Sequence, residues 1–229
     1  APDGRTGWAV GHDALILATA DAGRTWKKSF QGESLADSFL DVLALDAQRV
    51  LAVGAYGLFA STTDGGKTWT RRKIIEEDNH LNRLSRGPTG TLYLAGEQGT
   101  LLRSADTGAT WTRLRAPYDG SFYGVLPLGP MLLLAHGLEG RAFRSADDGA
   151  TWRPVPIPQP ILLPAALRLR SGTIVLAGLS RALWLSRDDG ATFADWPAPL
   201  ASAVAALLEL PDGRVLVLGE TGATILPQP

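Results

Sequence analysis

One eight-residue phrase, written five times, sets narrow limits on what this chain can fold into. It runs small hydroxyl residue, any residue, Asp, any residue, Gly, any residue, Thr, aromatic, and it occupies residues 19–26, 62–69, 104–111, 145–152 and 186–193. Its aspartates, Asp21, Asp64, Asp106, Asp147 and Asp188, lie 43, 42, 41 and 41 residues apart. A period near 40 means one supersecondary unit per repeat, and a unit that small must stack on its neighbours to bury an apolar face. The repeat runs unbroken through the 229 residues, which predicts a single domain, residues 1–229.

The unit around Ser104 shows what is repeated. Residues 81–85 read as a short mixed strand, and Gly87-Pro88-Thr89-Gly90 turns the chain. Residues 91–95 (TLYLA) are an apolar run of strand length, closed by the Gly-flanked hairpin Gly96-Glu97-Gln98-Gly99. Residues 100–103 make a third strand, the Asp phrase turns the chain again, and residues 110–115 alternate as a fourth. Residues 49–53, 131–135, 173–177 and 214–218 fall in register as second strands of the other units. Four antiparallel strands every ~42 residues is the arithmetic of a β-propeller blade. Residues 201–210 (ASAVAALLEL) have helical propensity, but their register assigns them to a first strand, and context overrides propensity. The chain opens at a second strand and ends after a third, giving about five and a half repeats: six blades, possibly incomplete, or a piece of a seven-bladed ring.

The phrase has a structural rationale. A buried turn must satisfy its own amides, which an Asp carboxylate or a Ser/Thr hydroxyl does locally, while Gly permits a positive φ. The aromatics Trp26, Trp69, Trp111, Trp152 and Phe193 then wedge between neighbouring blades. A calcium site is the alternative, but each phrase lacks the further spaced oxygen ligands such a loop needs.

Composition excludes several classes. A net charge of −1 gives no reason to expect nucleic acid or an anionic membrane as partner, and the excess of 18 Arg over 4 Lys reads as codon bias. Cysteine is absent, which removes disulfides, thiolate metal sites and a thiol nucleophile. No apolar run reaches the ~18 residues of a membrane helix. The first residue is Ala rather than Met, so the expectation is a mature chain after signal-peptide removal, periplasmic or otherwise extracytoplasmic. His12, His80 and His136 are scattered, and no catalytic or phosphate-binding motif occurs, so no metal, cofactor or catalytic residue is expected.

The phrase resembles the Asp-box, or bacterial neuraminidase repeat, of sialidases, sortilin-type receptors and the photosystem II stability/assembly factor family. Gly7-Trp8-Ala9-Val10-Gly11, then Leu15-Ile16-Leu17-Ala18-Thr19 and the phrase itself, is similar to the wording of that last family and its non-photosynthetic bacterial relatives. The resemblance implies a non-enzymatic extracytoplasmic propeller that binds protein, a membrane complex or its subunit, with oligomeric state open. The alternative is a glycan-binding or glycan-hydrolysing propeller of the sialidase type. Tyr56, Tyr93, Tyr118 and Tyr123 show no sialidase-like partner pattern, and Tyr93 reads as core.

Propeller topology assigns the second-to-third-strand hairpins and the blade-to-blade connectors to one face. That face carries the candidate binding residues His12, Asp13, Tyr56, Glu97, Gln98, Glu139, Arg181 and Glu220. The connectors add Glu76, Glu77, Asp78, His80, Tyr118 and Asp119, an excess of acid. The competing site is an outer basic stripe, Arg71, Arg72 and Lys73 with Arg113 and Arg115, although edge-strand cations also serve to prevent aggregation.

Overall fold

A computed structural model describes residues 1–34 and 36–229 as six antiparallel sheets in two compact units. The first unit comprises Ala1–Arg86 and Gly90–Arg113. Its opening sheet has three strands, β1 (Gly7–Val10), β2 (Leu15–Thr19) and β3 (Lys27–Gln31). Two four-stranded sheets follow. One orders β4 (Phe39–Ala44), β5 (Val50–Gly54), β6 (Phe59–Thr62) and β7 (Thr70–Arg71). The other orders β8 (Leu81–Arg86), β9 (Leu92–Gly96), β10 (Leu101–Ser104) and β11 (Thr112–Arg113).

The second unit comprises Gly87–Thr89 and Leu114–Pro229. It holds β12 (Phe122–Pro127) to β15 (Arg153–Val155) through β13 (Leu133–Gly137) and β14 (Ala142–Ser145). The next sheet is β16 (Ala165–Arg168), β17 (Ile174–Gly178), β18 (Ala182–Ser186) and β19 (Ala194–Asp195). The last is three-stranded, β20 (Val204–Glu209), β21 (Val215–Gly219) and β22 (Gly222–Leu226). The fold class is an all-β propeller. Within residues 201–210, Val204–Glu209 do form a first strand: Leu207 and Leu208 of β20 pair with Val217 and Leu216 of β21.

The second strands β5, β9, β13 and β17 are buried along their whole length, covered on both faces, which is why each reads as an apolar run rather than an alternating one. The fourth strands correct the sequence reading. Residues 110–115 pair only at Thr112 and Arg113, because the Asp phrase holds Thr110 in its turn and the chain leaves the sheet at once for the next blade.

The phrase aromatics wedge as expected at successive junctions of the first unit. Trp69 lies 6.4 Å from Phe30 of the preceding blade, and Trp111 lies edge-on to Phe59 at 6.2 Å. Trp26 does not. It is 43% exposed and folds back over its own turn, its indole N–H donating to the Gly23 carbonyl at 3.1 Å.

A second repeated device escaped the sequence reading. Strands β5, β9, β13 and β21 each end in glycine, and the incoming connector crosses at that point. A Cβ on Gly54, Gly137 or Gly219 would run into the carbonyl oxygen of Ser38, Ser121 or Ala203, and on Gly96 it would stand 2.5 Å from that of His80. Three of these carbonyls then accept from the residue after the glycine: Ser38 from Ala55 N–H at 2.9 Å, His80 from Glu97 N–H at 3.0 Å and Ser121 from Leu138 N–H at 3.1 Å. Connector and hairpin are thereby stitched together. A glycine ten residues before each phrase aspartate, as at Gly54 and Asp64 or Gly96 and Asp106, was the available signal.

Candidate functional site

The Asp phrases are structural turns. In each, the Ser/Thr hydroxyl donates to the Asp carboxylate at 2.7–2.8 Å and accepts the Gly amide at 2.8–3.0 Å. The same carboxylate accepts the amide of the Thr four residues on at 2.8–3.0 Å and its hydroxyl at 2.6 Å. The expectation of a buried turn needs correcting in one respect. The hydroxyls of Thr62, Ser104, Ser145 and Ser186 belong to buried residues, whereas the carboxylates reach solvent at the turn surface. The later Thr hydroxyl, then its amide, then the first Ser/Thr hydroxyl hold the carboxyls of Asp21, Asp106, Asp147 and Asp188 down at about 2, and that of Asp64 lower still. Among the described residues no three His, Asp or Glu converge as a metal site.

The hairpins between second and third strands are different in kind. In the first unit Tyr56-Gly57 (φ 54° and 70°) and Gln98-Gly99 (49° and 67°) both turn through the left-handed region, as does Asp13-Ala14 (60° and 46°). In the second unit Glu139-Gly140 (56° and 67°) and Ser180-Arg181 (60° and 66°) do the same. This is the type I′ hairpin geometry, which normally selects Gly, Asn or Asp at the first position. A bulky residue there is strained, and strain of this kind collects at working sites. Tyr56 is the extreme case, an aromatic in the left-handed region with 61% of its surface exposed.

Tyr56 stands beside a cleft of about 280 Å³ lined also by Asp37, Leu58, Phe59, Arg71, Arg72 and Lys73. The hairpin face and the basic stripe, rivals in the sequence, therefore meet at one place. The cations are not equivalent. Arg71 pairs with Asp37 of the preceding connector at 3.0 Å, and Arg113 repeats that clamp one blade on with Glu77 at 2.8 Å. Arg72 lies 4.8 Å over the Phe59 ring and donates to the Gly108 carbonyl. Lys73 has a looser partner, Asp78 at 3.7 Å, with both side chains largely exposed.

Behind Tyr56 the candidates converge. The His80 imidazole lies 4.9 Å from the Tyr56 ring, and its Nδ1 is 2.8 Å from Glu97 Oε2. That oxygen also accepts the His80 amide at 3.0 Å. His12 shares a hydrogen bond with Ser38 at 3.0 Å. In the second unit, Tyr118 stacks on Phe143 at 6.3 Å with the Arg141 guanidinium 5.7 Å from its ring. Burial, then the charge of Glu139, push the Tyr118 hydroxyl above its ordinary range. Arg181 and Glu220 are exposed at their hairpins. Tyr93 is core, as expected.

Residues 31–156, more than half of the chain, match the family described as photosynthesis system II assembly factor YCF48. No protein of curated function matches the chain in sequence. Solved structures share its fold. "YCF48 bound to D1 peptide" is 20% identical at a TM-score of 0.65 over 80% of this chain and 60% of that one. YCF48 from Cyanidioschyzon merolae is 16% identical at 0.64, over 84% and 68%. A streptogramin B lyase structure is 12% identical at 0.76, over 98% and 80%. The chain thus spans about three fifths of the length of the peptide-bound structure.

Proposed function

The chain belongs to the photosystem II assembly factor YCF48 family, and on that premise we propose a non-enzymatic propeller that binds a membrane protein complex outside the cytoplasm. The single observation that carries a protein-binding site is Tyr56: an exposed aromatic held in a strained turn at the lip of a cleft with three cations. Central aromatics anchor interfaces, and rim charges steer association more than they hold it. A related structure bound to a D1 peptide supports a polypeptide as ligand. The non-enzymatic reading is supported by the family match and by the ion pairs that engage the carboxylates of Asp37, Glu97 and Glu77.

The partner is to be captured by cross-linking in solubilised membranes, identified, and titrated against variants. Tyr56→Ala is expected to speed dissociation by about tenfold or more. Lys73→Glu should slow association and flatten its salt dependence without disturbing the fold, since Lys73 is the cation least tied to the scaffold. Unchanged kinetics in both variants would remove the site from this cleft. Fractionation of cells with an antibody to the chain tests the compartment, and recovery solely in the cytosol would refute it.

A further inference from the structure

We infer that His80 positions Tyr56 and makes the binding face responsive to pH, with Glu97 as the group that holds the imidazole in place. The inference rests on the reading of Tyr56 as an anchor and adds how that anchor is controlled. Three observations converge. The two rings are 4.9 Å apart and tilted by 57°, so the imidazole lies against the phenol. The His80 backbone is held, because Glu97 Oε2 accepts its amide at 3.0 Å and the Glu97 amide returns a bond to the His80 carbonyl at 3.0 Å, and its Nδ1 lies 2.8 Å from the same carboxylate oxygen. Tyr56 is otherwise largely exposed and sits in a turn conformation its side chain does not favour, and the His80 ring is the aromatic contact recorded for it among the described residues.

Imidazole is the side chain whose charge changes in the neutral range. Charged groups facing His80 from the neighbouring hairpins are Glu97, and Tyr56 as the aromatic face. On its own connector, Glu77 is engaged by Arg113 and Asp78 by Lys73, and Glu76 is an exposed acid four residues before His80 in sequence. Protonated His80 is an ion pair with Glu97 and a cation beside the Tyr56 ring, and both contacts strengthen on protonation. Acidification therefore fixes the anchor, and a pre-organised anchor lengthens partner residence by roughly two- to fivefold.

Side-chain NMR on the free chain tests this without a partner, since only three His and four Tyr contribute signals. Across about pH 5.5–8 the Tyr56 ring resonances should move with the same midpoint as the His80 ring. In Glu97→Gln the imidazole loses the carboxylate beside it, and the pH response of the Tyr56 ring should shrink. In His80→Gln, which keeps a donor for Glu97, the Tyr56 signals should stop responding to pH. A flat Tyr56 response while His80 titrates overturns the coupling. A response that persists in His80→Gln transfers it to another group and overturns it equally. If the coupling is found but Tyr56→Ala leaves partner binding intact, the anchor reading fails and the coupling stands.

Discussion

Replacing the phrase tryptophans by phenylalanine, one blade at a time, separates packing from hydrogen bonding at blade junctions. At the first junction the Trp69 indole N–H donates to Ser29 Oγ at 3.0 Å, and Ser29 in turn donates to the Gly66 carbonyl at 2.7 Å. One junction on, Arg72 takes the place of Ser29 and donates to the Gly108 carbonyl. A guanidinium accepts nothing, so the buried Trp111 indole N–H has no acceptor among the described residues, and neither has that of Trp152, where Leu114 approaches Gly149. Each substitution removes the pyrrole edge, about 40 Å² of apolar surface and about 1 kcal/mol. Trp69→Phe also loses a hydrogen bond worth about 1 kcal/mol, so about 2 in all. Trp111→Phe instead removes a buried donor that costs about 1–3 kcal/mol unpaired, which cancels or exceeds the lost area. The two variants should therefore differ by roughly 2 kcal/mol in urea denaturation, with Trp111→Phe near wild type. Phe193 at the fifth phrase is this replacement already made by the sequence. Equal costs within about 0.5 kcal/mol would show that the indole N–H plays no part, and the junction argument would be wrong.

Acid should unravel the phrases before the sheets. Their carboxyls are depressed to about 2 from a usual value near 4, so the stability they confer is complete above that usual value and drains as pH falls towards 2. Denaturation midpoints measured through that interval should fall, and Asp106→Asn should weaken the dependence. Gly137→Ala should destabilise by about 1–3 kcal/mol, since a Cβ meets the Ser121 carbonyl, whereas Gly11→Ala, with open space at its Cβ, should be harmless in the same assay. Purified chain should not hydrolyse fluorogenic sialosides or aryl glycosides above a boiled control; turnover abolished by changing Glu97, Glu139 or Glu220 would favour the glycan reading.

The scaffold was legible because its signals are local and repeated. The Asp phrase encodes its own hydrogen bonds within eight residues, and the apolar runs that became β5, β9, β13 and β17 were found within about two residues of their bounds. Helical propensity in 201–210 yielded to register, as the pairing of β20 with β21 shows. What could not be read were contacts made across blades. Arg71 with Asp37, Arg113 with Glu77 and Tyr56 with His80 join residues 24–36 apart whose proximity depends on where each connector lands. Fourth strands were overextended because alternation continues past the last paired residue, Arg113. The left-handed turn at Tyr56 was invisible for the opposite reason: residue type argued against it, and the flanking strands imposed it.

That imposed turn makes the hairpin tips exchangeable. Tyr56 (φ 54°, ψ 42°) and Glu139 (φ 56°, ψ 28°) hold one backbone shape with unrelated side chains, each followed by glycine and leading into a third strand. The backbone therefore does not choose the residue, and each tip is a socket whose contents can change without refolding the blade. Grafting Ala55-Tyr56-Gly57 onto 138–140 should transplant an anchor with its conformation, although without the imidazole that supports it. A repeat protein built this way can alter what it recognises one blade at a time.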